Sequence, residues 1–413
     1  MDAKTFNLAD PGRSAWIAPF FAVVFGMLML QMSNLGFSPL LPDIQSTFKI
    51  TYGQLGLFTG IYGLVGIALS VPAGLLARRH GEKAVLLIGL VVVAAGLATL
   101  ALAPDFAVAL TGRALWLAGY RLAFVCVMMA VALTAPAKLK GSTMGIVGAV
   151  SAFASVIGAP FGSEIGKALG WRSGIWGYAG LAVVGATVFA VLYKRDPGAE
   201  APAPHGPSPV CGGSRPAHKT PVVWVMAAGI GLLNMGGFTI TFFVPSVAKG
   251  VFHLGSTDAA LMISSAYFVA IFGNLLCGYL ADRVDRINLL IGISCLLVLA
   301  APALNSTNLL IFRIAVIAVV ALGHAATNQG YATVGAVLKG RETGPAMGIV
   351  SLGSGVYAYM GPQMLGLLRD WTGGFSAGFW MLAGASLVGV VLLLALKVIE
   401  KRRAATLAAV ERA

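Results

Sequence analysis

Arg121 lies near the middle of an apolar segment that reads GRALWLAGYRLAFVCVMMAVAL, from Gly112 to Leu133. The segment is long enough to cross a bilayer. A guanidinium keeps its proton, so the segment carries a permanent positive charge at hydrocarbon depth. Placing a charge there costs from about 3 to more than 10 kcal/mol. A cost of that size predicts a protein-lined, water-filled surrounding and a specific partner for Arg121.

A second polar group occurs in the apolar segment ALGHAATNQGYATV, which carries His324 and Asn328. Residues four positions apart share one face of a helix, so we expect these two side chains to point the same way. Histidine titrates near neutral pH, which suits proton transfer. A lone histidine in an apolar helix also serves as a hydrogen-bonded packing residue. Both roles stay open for His324.

No acidic partner for Arg121 is evident, because all fifteen Asp and Glu residues fall in predicted loops, termini or helix ends. Positive charge without a carboxylate favours an anionic ligand, since a guanidinium binds a carboxylate or oxyanion through two parallel hydrogen bonds. The amides of Gln31, Asn34 and Asn234 offer further contacts to a small polar anion. The alternative is a structural arginine, satisfied by helix carbonyls or by Glu164.

The composition places these groups in a membrane protein. Of the 413 residues, 58% are hydrophobic and only 10% are charged, against about 25% charged in a soluble domain. Such a chain has too few polar residues to cover a surface with water-compatible groups. The four cysteines show no metal-site or disulfide spacing, and we expect no metal and no cofactor.

The hydropathy pattern predicts twelve membrane spans of roughly 20 apolar residues each. They are 15–37, 53–77, 83–103, 106–133, 143–163, 173–193, 221–245, 258–281, 287–304, 308–334, 345–368 and 374–397. With both termini in the cytoplasm, 20 of the 28 Lys and Arg residues fall in inner segments and 5 in outer loops. This bias satisfies the positive-inside rule. It also explains the net charge of +13, so the basic balance does not indicate nucleic-acid binding.

The chain reads as two related halves. A linker rich in Pro, Gly and Ala at 194–220 separates an N-terminal six-helix half, 1–193, from a C-terminal half, 221–413. The tetrapeptide MGIV at 144–147 returns at 347–350, a shift of 203 positions. Such repeats are typical of secondary transporters, whose substrate site lies between the halves near the bilayer midplane.

Two cytoplasmic loops carry a family resemblance. The segment GYLADRVDR at 278–286 is similar to the G-x-x-x-D-R-x-G-R loop motif of the major facilitator superfamily, and GLLARRHGEK at 74–83 is a second copy. The chain resembles this superfamily over essentially its full length. The resemblance implies an all-α membrane protein with twelve transmembrane helices, in two six-helix halves around a central cavity, and with both termini cytoplasmic. It also implies that spans one, four, seven and ten line the cavity, which offers Arg121 on span four a water-filled, protein-lined position.

In that superfamily the loop acid braces the halves when the cytoplasmic side is closed. The resemblance assigns this gating role to Asp282, with Arg283 and Arg286 around it. The first loop has Arg78 in place of the acid, which argues against a two-fold symmetric brace. The alternative is that these loops only supply the positive-inside charge.

A weaker resemblance concerns the branch of nitrate/nitrite, cyanate and related anion carriers. It is carried by LLPDI at 40–44 and LFTGIYG at 57–63. The nitrate carriers place arginines in spans two and eight, where this chain has none. Nitrate specificity is therefore not inferred.

Together these features predict a secondary active transporter of a small organic or inorganic anion, working by alternating access, with His324 as the candidate for proton coupling. The in-class alternative is a drug or metabolite efflux antiporter, and the other is a non-transporting membrane receptor or enzyme. We expect no enzymatic activity, since no catalytic cluster or phosphate-binding loop occurs. We also expect a monomeric, multi-pass protein of the bacterial inner membrane, with lipid and a small anion as partners and no nucleic acid.

Overall fold

The computed structural model of the protein describes residues 17–134, 140–193, 220–281, 283–337 and 343–410. Twelve long helices follow one another within these ranges, and the same ranges hold no strand. They are α1 (Ile17–Gly36), α2 (Tyr52–His80), α3 (Glu82–Leu102), α4 (Phe106–Thr134), α5 (Lys140–Leu169), α6 (Trp171–Leu192), α7 (Pro221–Gly250), α8 (Ser256–Ala281), α9 (Arg286–Ala300), α10 (Leu309–Val337), α11 (Thr343–Thr372) and α12 (Ser376–Val410).

Three short elements extend the helices on the outer side. The 3-10 helix Ser38–Leu40 and the helix Leu41–Phe48 continue α1, and the 3-10 helix Ala301–Asn305 continues α9. Each predicted span coincides with one long helix, so the twelve-helix prediction is confirmed. The predicted linker lies outside the described residues, apart from Thr220.

Ten of the described helices are long and apolar enough to cross a membrane. The two that fall short are α5 and α11. Both are rich in Gly and Ser, and each packs against helices of both halves: α5 against α1 and α8, and α11 against α2 and α7. Close packing replaces apolar side chains with small ones along these two helices.

Local signals set several helix ends. Thr51 caps α2: its hydroxyl accepts from the Gln54 backbone N–H, and the Gln54 side chain accepts in return from the Thr51 N–H. This capping box satisfies two backbone donors. At the other face of the protein, Asp285 accepts from the Asn288 N–H at 3.0 Å and caps α9.

Two glycines mark the internal repeat. Gly170 and Gly373, which are 203 positions apart, turn the chain with φ of +87° and +73°. Only glycine adopts such values without steric cost. Each lies in the short outer loop after the fifth helix of its half, so the sequence shift corresponds to an equivalent position in the fold.

A seam of glycines joins the halves between α2 and α11. A Cβ at Gly56 would collide with the Pro362 carbonyl oxygen, and one at Gly63 with the carbonyl oxygen of Gly355. Backbones this close require residues without side chains. We call this contact the glycine seam.

The glycine seam opens toward the cytoplasm. Gly74 follows Gly63 by eleven positions and Gly348 precedes Gly355 by seven, so both lie on the seam faces of their helices. Neither has another described atom within 4 Å of the place that a Cβ would occupy. The two helices therefore touch in their outer parts and diverge in their inner parts, which is an inward-facing arrangement.

Polar contacts close the outer side. Asp370 of α11 accepts from the backbone N–H groups of Tyr52 at 2.9 Å and Gly53 at 2.7 Å, and so caps α2 of the other half. Lys249 of α7 pairs with Asp43 at 2.9 Å. These contacts join one half to the other and exist only while the outer ends are together.

Candidate functional site

Arg121 lies at the point where the glycine seam opens. Its half-buried side chain reaches across from α4 to α2, where a Cβ on Gly66 would stand 2.5 Å from Nη2 and 2.8 Å from Cζ. Gly66 is three residues beyond Gly63, the last closely packed glycine of α2 in the seam. The absence of a side chain at Gly66 makes the room that the guanidinium occupies.

An aromatic ring covers one face of this guanidinium. The Arg121 Cζ lies 4.4 Å from the centre of the Tyr62 ring, a distance at which a cation is attracted to the ring face. Nε is buried and has no hydrogen-bond partner. The Tyr62 ring thus contacts the group, and Nε still lacks a hydrogen-bond acceptor.

No described carboxylate pairs with Arg121. Of the acids near the outer ends, Glu164 accepts from the Thr257 hydroxyl at 2.7 Å, and Asp258 lies 4.0 Å from Arg313. The predicted alternative partner, Glu164, is therefore engaged with α8. Within the described ranges the guanidinium has neither an acidic partner nor a carbonyl that accepts from it.

Other polar groups of the N-terminal half gather around Tyr120. Its hydroxyl donates to Gln31 Oε1, and the amide nitrogen of Gln31 donates to the Ser151 hydroxyl. Asn34, one turn further along α1, is buried, and its Oδ1 has no hydrogen-bond partner. We call Gln31, Asn34, Tyr62, Tyr120 and Arg121 the N-half cluster.

The C-terminal half carries a neutral counterpart. The His324 ring packs edge-on against Tyr267 of α8, with centroids 5.0 Å apart, and the Tyr267 hydroxyl lies 3.3 Å from Thr241 Oγ1. Asn328 donates to Asn274 Oδ1 at 3.0 Å, also on α8. His324 and Asn328 thus face the same helix, as their spacing predicts. We call these five residues the C-half cluster.

An aromatic contact joins the N-half cluster to α7 of the other half. Phe238 of α7 lies 5.0 Å from Tyr62, centroid to centroid. Asn234 stands one turn before Phe238 on the same helix and is half-buried. No described contact joins Arg121 directly to His324. The predicted residues therefore form two groups on opposite sides of the interface between the halves.

The arrangement corresponds to a known class of protein. The sequence model of the Major Facilitator Superfamily matches residues 23–334, which takes in α2 to α9 completely and most of α1 and α10. The chain belongs to the Major Facilitator Superfamily. It is a multi-pass membrane transporter, and its substrate is a small molecule.

Three relatives in this superfamily match long stretches. The uncharacterized MFS-type transporter YwfA of Bacillus subtilis (strain 168) is 28% identical over 379 residues, 90% of each chain. A chloramphenicol resistance protein of Streptomyces lividans is 28% identical over 277 residues, 64% of this chain and 67% of the relative. A nitrite extrusion protein of B. subtilis (strain 168) is 22% identical over 371 residues, 86% of this chain and 88% of the relative.

A solved structure supports the superfamily fold. The crystal structure of a bacterial homolog to the human lysosomal transporter Spinster, in an inward-facing and occupied conformation, aligns with a TM-score of 0.71. The alignment covers 95% of this chain and 98% of that one, at 16% sequence identity. At this identity the likeness concerns the fold alone.

The superfamily loop motif is only partly described. Asp282, the predicted brace, lies outside the described residues. Arg283 is exposed and lies over the Tyr279 ring at 4.2 Å, and Arg286 donates to the Ala332 carbonyl oxygen at 3.3 Å. Both contacts stay within the C-terminal half, as is expected when the cytoplasmic ends of the halves are apart.

Sequence reasoning missed several residues of this superfamily member. Gly66 and Tyr62 shape the Arg121 position, and the seven-residue spacing of Gly56 and Gly63 signals a close helix contact on that side of α2. Asp370 closes the outer side through backbone groups on α2. Nothing in the sequence distinguishes Asp370 from an ordinary loop acid.

Proposed function

We propose that this protein is a secondary active transporter of a small organic or inorganic anion and works by alternating access. The observation that carries the proposal is the Arg121 guanidinium, which is half-buried where the glycine seam opens and has no described acidic partner. A cation in that position is stabilised when the cargo brings the negative charge.

The geometry suits an oxyanion or a carboxylate. The Tyr62 ring covers a face of the guanidinium, so a ligand meets the N–H edge, which is the edge that forms two parallel hydrogen bonds to such groups. Gln31, Asn34 and Asn234, with Asn328 across the interface, supply neutral amides for its remaining oxygens. The likeness to a nitrite extrusion protein is in keeping with an anionic cargo.

We further propose that His324 carries the coupling proton, because no described carboxylate lies beside it or beside Arg121. The buried acid Glu82 instead accepts from the Tyr193 hydroxyl at the cytoplasmic end of α3. Asp282, Arg283 and Arg286 are proposed to brace the cytoplasmic side when it closes. The halves 1–193 and 221–413 are proposed as the two rocking units, joined by the linker 194–220. We place the protein in the bacterial inner membrane as a monomer.

Drug or metabolite efflux is the second candidate. The likeness to a chloramphenicol resistance protein favours it, and the superfamily fold accommodates both functions. The two candidate functions differ in how the positive charge of Arg121 would act on the substrate. An anion carrier needs its charge for binding, whereas a lipophilic cation would be repelled by it.

The test is substrate competition in proteoliposomes that contain the purified full-length protein. We expect labelled nitrite or a labelled short monocarboxylate to enter, and unlabelled anions of this kind to compete. Lipophilic cations should not compete. Uptake or efflux of lipophilic cations, without any response to small anions, would decide for the second candidate.

A further inference from the structure

Arg113 is a second buried guanidinium on α4, eight residues and about 12 Å from Arg121 toward the outer side. Its side chain is 0% exposed. Its three nitrogens, Nε, Nη1 and Nη2, have no hydrogen-bond partner among the described residues. Asp105, the acid at the start of α4, accepts from the Val108 N–H instead.

Aromatic rings contact this group from adjacent directions, since the Phe37 and Trp116 ring centroids are only 5.1 Å apart. The Arg113 Cζ lies 4.1 Å from the centre of the Phe37 ring and 4.1 Å from that of the Trp116 ring, with Phe58 at 5.9 Å. We call these three side chains the aromatic box. Ring faces attract a cation but accept no N–H bonds in its plane. The box therefore stabilises the charge and leaves the planar edge of five donors unsatisfied.

A neighbouring donor also lacks a hydrogen-bond acceptor. Trp116 Nε1, in the box itself, is a buried donor with no partner. Buried donors are rarely left unpaired in native proteins, and such a group calls for an explanation. A cluster in which only donors are unpaired, and in which one carries a full charge, is suited to a ligand that brings acceptor oxygens and negative charge.

The other half closes the aromatic box. Phe242 of α7 lies 5.7 Å from Phe37, centroid to centroid, and Phe238 next to it touches Tyr62. α7 also carries Lys249, which pairs with Asp43 on the outer side. Separation of the outer ends of the halves would break these contacts and would open the aromatic box on the side of α7.

We propose that Arg113 is a second anion site, which binds the carboxylate or oxyanion of the cargo while the transporter faces outward. The proposal rests on the proposed function. Arg113 receives the anion at the outer side, and Arg121 holds it at the midplane, with Tyr62 between the two arginines. Arg313, at the corresponding end of α10, has Asp258 as a partner and is assigned no such role.

The first experiment measures transport from each side separately. Right-side-out and inside-out membrane vesicles are compared for labelled nitrite and labelled acetate, with wild-type protein and the variants Arg113→Gln and Arg313→Gln. We expect Arg113→Gln to raise the half-saturating concentration at the outer face about tenfold or more, and at the cytoplasmic face less than about twofold, because only the outer site is lost. Arg313→Gln should change neither value.

Equal changes at both faces would mean that Arg113 is a structural residue and would overturn the site. No change at the outer face in folded Arg113→Gln would also overturn it. In either case anion transport by the wild type leaves the proposed function standing. If wild-type protein carries neither anion, the proposed function fails and the outer site fails with it.

A second experiment leaves Arg113 in place, in case its variants do not fold. A membrane-impermeant phenylglyoxal derivative is added outside, and modification of the α4 peptide is followed by mass spectrometry. We expect slow modification of Arg113 in wild type, faster modification in Asp370→Asn, whose outer closure is weakened, and protection by nitrite in both. Absence of modification in Asp370→Asn, or modification that nitrite does not slow, would overturn the proposal.

Discussion

The N-half cluster and the C-half cluster occupy corresponding regions of a duplicated fold. They differ in charge and in how completely their polar groups are hydrogen-bonded. In the first, Arg121 carries a full charge, and its Nε has no hydrogen-bond partner. In the second, His324 packs on Tyr267 and Asn328 bonds to Asn274. Duplication preserved the helices, whereas the polar chemistry diverged.

This difference indicates a division of labour. Under the proposed function, a fixed charge in one half would hold an anion whichever side is open, because the charge moves with its own helices. A neutral cluster in the other half is free to change its protonation or its contacts as the halves rock. A transporter with matching charges on both sides would bind its cargo more tightly and release it more slowly.

Arg121→Ala provides the strongest test of that division. Removing one partner of a buried charge pair costs about 2–5 kcal/mol, so anion affinity should fall at least about 30-fold. Isothermal titration of the purified protein with nitrite or acetate measures it. Arg121→Lys serves as the companion, since it retains the charge but not the planar edge, and its loss should be intermediate. Affinity within a factor of two of wild type in Arg121→Ala would refute the role of the charge.

His324→Ala should separate coupling from binding. We expect exchange of labelled for unlabelled anion to stay within about twofold of wild type, while accumulation against a gradient falls to a ratio of about one, since no group carries the proton. Both quantities are measured in the same proteoliposomes, with and without an imposed pH gradient. Unchanged accumulation would show that the ring only packs against Tyr267.

Gly66→Ala should displace the guanidinium without breaking the fold. The added Cβ would lie 2.5 Å from Nη2 of Arg121, and the end of a flexible side chain moves more readily than a backbone. Anion affinity should fall about tenfold, or roughly 1.4 kcal/mol.

Gly74→Ala is its matched control. It makes the same substitution in the same helix, where no described atom lies within 4 Å of the new carbon, and both changes favour the helix equally. Binding curves for the same anion, measured in parallel for the two variants, give the two affinities to compare. Equal affinities would mean that the exact position of Arg121 beside α2 does not matter.

Asn328→Ala should have the smallest effect. The side chain is exposed, and the bond to Asn274 is shared with solvent, so we expect a loss of about threefold, or roughly 0.6 kcal/mol. Titration with the same anion measures it. A loss as large as that of Arg121→Ala would erase the contrast between the two clusters.

The architecture could be predicted from the sequence because the signals that set it can be read along the chain. Apolar runs of about 20 residues gave the spans, and the distribution of Lys and Arg gave their orientation. The lack of an acid for Arg121 was likewise predictable, because every Asp and Glu lies in a predicted loop, a terminus or a helix end.

Contacts between neighbouring helices could not be predicted from the sequence, for a physical reason. The approach of Arg121 to Gly66 and of Asp370 to Tyr52 depends on helix tilt and register, which are set by packing rather than by local sequence. Arg113 and Arg313 look equivalent along the chain, but only one has an acid beside it. That distinction follows from which face of each helix the neighbours occupy.

The cap that Asp370 places on α2 has a consequence for energetics. A helix cap contributes about 0.5–2 kcal/mol and an exposed ion pair such as Lys249 with Asp43 about 0–1 kcal/mol. Even a ligand with millimolar affinity releases roughly 4 kcal/mol on binding. A cargo that binds one conformation of the carrier more tightly, by only part of that amount, can outweigh the Asp370 cap and the Lys249–Asp43 pair. Under the proposed function, the direction of net movement is then governed by solute concentrations on the two sides, and these outer contacts would keep the unloaded carrier closed to the exterior.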